Sequence, residues 1–398
     1  MKPYIGLILF GLLLFETFRL LPPQIPTPPL NPVSDVYPRI GSVHLHTTFS
    51  DGGGDVEEVA RSAAQSGMDF IVLTDHNVST ARQVGKEKNM GTVDVFAEME
   101  ASTPAGHLVI FYSHTSAVSL PDERVRELAF QHFLGSQTVP GIFVVTAHPS
   151  NVKNPWSRLD RFPDGTEVIN LDSVWQRQAY ESLAGFSLTT LIYPFNNYLG
   201  ALRFLQIYPK DFESWDAMNV VKPGHFGILA HDSHSKVKLR DNMEFRWPSY
   251  TKTFRLAANA ILLKEPPAAD FHQRKVQLYT AIREGRIALF FPVLHPFRGN
   301  DWSLECKTAR HRSGDHVVLD PQCSFTLRVP EKFPYPLRAR VIKDGKVIFE
   351  TAASPLTRFP LQGPGIYRVE LWSQMSTPMH LWLSREVPYL FYNPIYVK

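Results

Sequence analysis

The stretch His44-Leu-His46-Thr-Thr-Phe-Ser-Asp51 sets two imidazoles one residue apart, with a carboxylate shortly after them. On an extended chain successive side chains alternate, so His44 and His46 point the same way. Two neighbouring imidazoles at a strand end make half a metal site, and Asp51 in the following loop can add an oxygen ligand. One H-x-H pair is a weak signal, but here it recurs in kind. Leu73-Thr-Asp75-His76-Asn77 again joins a carboxylate to an imidazole behind an apolar run. Glu98-Met-Glu100, Gly106-His107, Ala147-His148-Pro149 and Ala230-His231-Asp232-Ser-His234 follow in order. A lone strand-end histidine is usually a satisfied core or surface group. A series of them beside Asp or Glu is not so explained. Nitrogen and oxygen ligands with only two cysteines in the chain match divalent Zn or Mn rather than an iron–sulfur cluster.

These residues sit after short runs rich in β-formers: 40–43, 69–74, 107–111, 141–146 and 226–230. Such runs read as buried parallel strands. One helix between them is well marked. Asp55 N-caps it, Glu58 completes a capping box, Val56, Val59, Ala60 and Ala63 form its apolar face, and Gly67 follows its end. Another helix is expected over 275–286. The β-α-β rhythm over residues 39–298 predicts an α/β fold, either a β/α barrel or a doubly wound sheet. In a barrel, all the C-terminal strand ends open on one face. After about residue 298 the rhythm changes to alternating strands at 324–329, 337–342, 346–349 and 366–372. Lys343-Asp-Gly-Lys346 supplies a hairpin turn. Residues 299–398 therefore predict a small all-β sandwich. Cys306 and Cys323 both fall there, either bridged or as separate small hydrophobes.

Hydrophobic residues make up 44% and charged residues 20%, which excludes wholesale disorder. A net charge of +3 gives no dedicated nucleic-acid surface. After Lys2, residues 4–15 form an uncharged apolar run. It fits the apolar part of a secretory signal. Extended to residue 21 it fits a membrane anchor, with Glu16 and Arg19 near one interface. No A-x-A cleavage site follows, and residues 22–38 are a Pro-rich linker. The expectation is an exported protein, anchored on the outer side of the cytoplasmic membrane or periplasmic. A cytosolic protein would leave the stiff spacer unexplained.

Taken together, His44-Leu-His46…Asp51, the segment 67–77 ending Asp75-His76-Asn77, Glu100…Gly106-His107, Ala147-His148-Pro149 and Asp232-Ser-His234 resemble the PHP (polymerase and histidinol phosphatase) family of metal-dependent phosphoesterases. The resemblance spans roughly residues 39–293, in the family's order. It implies a distorted (β/α)7 barrel with a trinuclear centre holding two or three divalent metal ions, Zn or Mn. It also implies the ligands. His44, His46, Glu100 and Asp232 would hold one metal. Glu100 would bridge to a second, completed by His107 and His148, and Asp51, His76 and His234 would take the third. Glu98 competes with Glu100, and His114 with His107. Asp75 is expected to orient the site, with His234, as part of the catalytic apparatus. His231 stands where the family often has Ser. The tail, ending in residues 392–398, resembles the β-sandwich appended to some exported members.

The implied reaction is hydrolysis of a phosphomonoester or phosphodiester by metal-activated hydroxide. The substrate would be a phosphorylated small molecule or nucleotide, and the membrane a partner through the N-terminal segment. The alternatives are a metal-binding recognition module without catalysis, and a metal-dependent amide or ester hydrolase. Lys236, Lys238 and Arg240 would hold a distal phosphate or form a solvated loop. Trp175, Tyr180, Tyr193, Phe195 and Trp215 would stack on a base or sugar, or pack the core.

Overall fold

The computed structural model describes residues 10–11, 35–112, 120–153, 155–156, 163–240, 243–376 and 384–398. The expected signal or anchor, apart from Phe10 and Gly11, lies outside the described residues, as do the linker up to residue 34 and His114. Among the described residues no helix is long and apolar enough to cross a membrane.

The site is built on strands β1 (Tyr37–Leu45), β2 (Phe70–Leu73), β3 (Lys88–Met90), β4 (Val93–Ala97), β5 (Met99–Thr103), β6 (Gly106–Tyr112), β7 (Ile142–Thr146), β8 (Gly165–Asn170) and β9 (Phe226–Ser233). β1 pairs in parallel with β2 and with β9, β2 with β4, β7 with β8, and β8 with β9. The short β3 folds back antiparallel on β4. β4 runs through Glu98 towards β5, and the amides of Glu98 and Glu100 keep bonding the carbonyls of Leu73 and Asp75. These strands, together with others later in the chain, belong to one sheet that closes into a barrel.

One expectation fails here. The 107–111 run is not a parallel strand, because β6 is antiparallel to both β5 and β7. A strand buried on both faces carries no side-chain signal of its direction. The hairpin between β5 and β6 turns at Gly106, which has φ 145°. A Cβ there would lie 2.6 Å from the Trp156 indole, so the turn needs glycine for space as well as for its backbone angle.

Asp55 caps the helix Val56–Gln65 by accepting from the Glu58 amide, and Val56, Val59, Ala60 and Ala63 are buried. The Glu58 carboxylate does not close the capping box; it pairs with Arg246. Gly67 ends the turn at φ 73°. The later helix runs Phe271–Arg283, not 275–286, because Asp270 caps it by accepting from the Gln273 amide at 2.8 Å.

After β9 come the hairpin β10 (Val237–Arg240) and β11 (Met243–Phe245), then β12 (Ala258–Leu263) and β13 (Ile287–Phe290). β12 lies antiparallel between β1 and β13. From residue 301 the described residues form only strands: β14 (Asp301–Glu305), β15 (Arg310–His311), β16 (His316–Val317), β17 (Ser324–Arg328), β18 (Leu337–Lys343), β19 (Lys346–Ala352), β20 (Leu356–Pro360), β21 (Gly365–Ser376), β22 (Ser384–Tyr392) and β23 (Ile395–Val397). One sheet has the order β15-β14-β17-β20. A second joins β19, β18, β21 and β22. Rings from the two meet, Phe325 on Tyr367 at 4.7 Å and Phe349 on Phe359 at 5.7 Å. The turn at Asp344 and Gly345 has positive φ at both residues, as the Asp-Gly pair requires.

The second sheet is continuous with the barrel. β22 pairs with β13, with Ala288 opposite Tyr392 and Phe290 opposite Leu390. The Asn393 amide exchanges two 2.8 Å hydrogen bonds with Gly227 of β9. Arg368 of β21 is fully buried and grips both oxygens of Asp216, at 2.7 Å each, on the helix Pro209–Val221.

Cys306 and Cys323 form a disulfide. Replacing both by Ser is expected to cost about 2–4 kcal/mol of stability. Specific activity should be unchanged, since both lie outside the histidine-rich mouth; denaturant titration and turnover check the two halves.

His225 gives the fold a pH dependence. Its Nδ1 donates to the Pro163 carbonyl at 2.9 Å, and burial lowers it to about 4. The unfolded chain takes up this proton near 6.5, whereas the folded chain resists until about 4. Stability is therefore full above pH 6.5 and drops as pH falls towards 4. Between pH 7 and 4.5 this group should contribute a loss of about 2 kcal/mol. Urea midpoints should show it, with a shallower dependence in His225→Gln.

Candidate metal centre

At the end of β1, Val43 pairs with Val72 and Leu45 with Leu73, so His44 is an extra residue in a bulge. Its φ of 67° is left-handed, a strained conformation for a residue with a Cβ. The bulge leaves both imidazoles on one carboxylate oxygen. His44 Nε2 is 3.1 Å and His46 Nε2 3.3 Å from Glu100 Oε2. His76, just past β2, brings Nδ1 to 3.0 Å from the same oxygen. The other oxygen, Oε1, lies 2.8 Å from His107 Nδ1 and 2.9 Å from His148 Nε2. Asp232 Oδ1 lies 3.5 and 3.3 Å from the Nε2 atoms of His44 and His46. Asp51 reaches His234 at 3.3 Å, and His76 and His46 at 3.7 Å.

All nine residues singled out as ligands thus meet at one mouth. Ligand atoms of seven of them group within 4.8 Å, as His44, His46 and Glu100; as His76, Glu100 and His107; and as His46, Asp51, His76 and His234. His46 and His76 each belong to two groups, where the resemblance gave each to one metal.

The donor set fits cations. His44 Nε2, both ring nitrogens of His46, His148 Nδ1 and Glu100 Oε2 are buried without a hydrogen-bond partner among the described residues. Buried polar atoms are normally paired. Around Glu100 Oε2 the Nε2 atoms of His44 and His46 converge without the alignment of donor to acceptor, as co-ligands of an ion do. Burial works against charge on Glu100, yet His44 and the other imidazoles hold its carboxyl well below the usual range. Asp232 is lowered in the same way, burial being outweighed first by His44. Both carboxylates are thus ionised beside positive charge, here that of protonated imidazoles, which ligation would replace by the charge of the ion.

Four participants carry no sequence signal. Glu167 of β8 is buried, and its Oε1 lies 2.5 Å from His44 Nδ1. Its Oε2 accepts from the His148 amide at 2.6 Å. A carboxylate taking the far nitrogen of an imidazole orients the ring and fixes its tautomer. Asn170 donates to both Glu167 and Asp232. Asp172 is pushed up to about 6 by burial and by Asp232. The Tyr250 hydroxyl lies 2.8 Å from the His46 carbonyl and 3.1 Å from that of His234. It ties two ligand-bearing segments together. Tyr250→Phe should therefore weaken metal binding by tenfold or more with the fold intact, as measured by chelator competition alongside circular dichroism.

Asp75 accepts from the Thr47 amide and hydroxyl and from Ser50, so it holds the loop that carries Asp51. Glu98 is away from the mouth, bonded to Arg82, Tyr279, Lys275 and the Tyr112 amide. His231 also faces elsewhere, with Nε2 donating to the Ala257 carbonyl and Nδ1 accepting from Ser42. Burial lowers it to about 4, so it is neutral. Lys236 pairs with Glu244 at 3.3 Å, while the side chains of Lys238 and Arg240 lie outside the described residues. Of the insert aromatics, Trp215 is core and Tyr180 and Phe195 are exposed. Trp175 and Tyr193 line a cavity beside Asp232 and His234.

Fold and site together define an α/β protein with a histidine- and carboxylate-rich site that could hold metal ions. A family model for the PHP domain matches residues 42–114. No curated protein matches the chain. Among solved structures, a two-domain protein from Bacteroides vulgatus ATCC 8482, described as containing a predicted PHP-like metal-dependent phosphoesterase, is similar at 15% identity. That match covers 93% of this chain and 99% of the other, with a TM-score of 0.41.

Proposed function

We propose that the chain is a hydrolase that cleaves phosphoesters, monoester or diester, using two or three divalent metal ions, Zn or Mn, in a trinuclear PHP-type centre. The observation that carries this reading is Glu100, whose two buried oxygens are shared among five imidazoles. The ions would supply a water nucleophile at neutral pH and positive charge for the phosphoryl oxygens. The chain's own groups do the rest. Glu167 accepts a hydrogen bond from the Nδ1–H of His44 and so leaves Nε2 facing Glu100 and Asp232. Asp75 fixes the Asp51 loop, and Asp51 and His234 at the rim meet the substrate. The barrel would be a distorted (β/α)7 barrel and the tail a β-sandwich.

Export belongs to the same proposal. The disulfide supports an oxidising compartment, and the apolar N-terminal run supports a signal or anchor at the membrane. Elemental analysis should find two or three ions per chain. Zn- and Mn-loaded protein should then hydrolyse phosphomonoesters, phosphodiesters or nucleotides in a panel that includes amides and carboxylic esters. Absence of metal would overturn the reading. Metal without turnover would leave a recognition module, and amide or carboxylic-ester cleavage alone would make it a different hydrolase.

A further inference from the structure

The cavity beside Asp232 and His234 has walls unlike the metal centre. Its volume is about 300 Å³, and those two residues are part of its lining. Four rings line it as well: Trp175, Tyr193, Phe204 and Trp247. Trp247 meets Tyr193 edge to face at 5.4 Å and Phe204 at 6.3 Å. The Trp175 indole N–H donates to Asp172 at 2.7 Å, and the ring stacks on Phe186 at 6.1 Å. Its plane is therefore set before anything binds.

The polar groups of the wall are mostly spent. The Gln176 amide N–H donates to Asp172, the Thr253 hydroxyl to the Ser249 carbonyl, and Lys236 pairs with Glu244. Gln176 Oε1 is buried and has no partner among the described residues, so it can accept one hydrogen bond. A charged or many-hydroxyl group entering here would lose its water with little in return. A flat apolar ring would gain burial and offset or edge contacts with four aromatic walls. The Lys252 ammonium lies 5.2 Å from the Tyr193 ring centroid, a cation–π contact that holds this wall in place.

We propose that this cavity binds the alcohol side of the substrate, and that this alcohol carries a flat apolar ring of aryl or benzyl type. The orientation, with phosphate towards Asp232 and His234, rests on the phosphoester reading above; ring binding in the cavity does not. The test is calorimetric titration of metal-loaded full chain with benzylphosphonate and ethylphosphonate, which share one non-hydrolysable anionic head. Benzylphosphonate should bind about thirtyfold tighter, the scale of burying one such ring. Trp247→Ala and Trp175→Ala, each checked by circular dichroism, should cut that preference to below about fivefold. Equal affinity for the two ligands, or no binding of either, overturns the inference. Hydrolysis of benzyl and ethyl phosphate, whose alcohols are of similar acidity, separates the two claims. A benzylphosphonate preference without turnover of either ester leaves the ring site standing and removes the phosphoesterase. Turnover of both with equal phosphonate affinities does the reverse.

Discussion

Glu100→Gln is expected to reduce phosphoester hydrolysis by at least about a hundredfold and to lower bound metal, with the fold retained. The substitution keeps the shape of the side chain and removes one negative charge. That charge faces His44, His46 and His76 through one oxygen and His107 and His148 through the other. An amide offers one weaker acceptor and turns an N–H₂ towards lone pairs, so the groups it joins lose their common ligand. A hundredfold is the usual scale for losing one strong electrostatic stabiliser in a dry site. His44→Ala and Asp232→Ala should have effects of the same order, since both meet Glu100 or its neighbours at the mouth. Turnover of a chromogenic phosphodiester, elemental analysis and circular dichroism would be measured on the same preparations. Near-wild-type turnover in a folded, metal-loaded Glu100→Gln protein would show that the centre is wrongly placed.

A large effect on stability is expected from Asp216→Ala, at about 3 kcal/mol. Arg368 is fully buried, and burial opposes its charge; Asp216 and Glu370 offset this and hold its pKa above the usual range. Asp216 supplies both oxygens at 2.7 Å in a paired geometry. Removing it leaves a buried guanidinium short of a partner, a change that costs about 3–5 kcal/mol when no other acid remains. Glu370 stays in contact with Arg368, which places the expectation at the lower end. The denaturant midpoint should shift accordingly. A shift within about 0.5 kcal/mol, the range of an ordinary surface substitution, would mean that Glu370 alone neutralises Arg368.

The ligand series was legible because each member follows a β-rich run, and strand ends are where chain order becomes spatial order. The period-two argument put His44 and His46 together, but the structure reaches that result through a bulge at His44. Glu98 and Glu100 stayed ambiguous in sequence because both lie on the same extended stretch. Only tertiary partners separate them, Arg82 and Tyr279 for one and the histidines for the other. Glu167 was missed because a single acid inside Gly165–Asn170 has no spacing to betray it. Tyr250 was missed because its partners, His46 and Gly54, are about two hundred residues away in the chain. The direction of β6 and the pairing of β13 with β22 were also beyond the sequence. Both depend on which buried edge meets which, and apolar side chains do not record that.

The β13–β22 pairing ties the barrel to the order in which the chain is made. Residues 291–383 emerge from the ribosome after β13 and before β22. Throughout that interval Ile287–Phe290 offers one row of backbone groups with its final partner not yet synthesised. Such an edge can recruit a strand from another chain. A message cut short within the tail would make the condition permanent. It would also remove Asn393, whose amide links Gly227 of β9 to the Ile287 carbonyl of β13. Prematurely ended chains should therefore aggregate rather than release a free-standing barrel. Completion of the barrel in effect waits on residues 384–398.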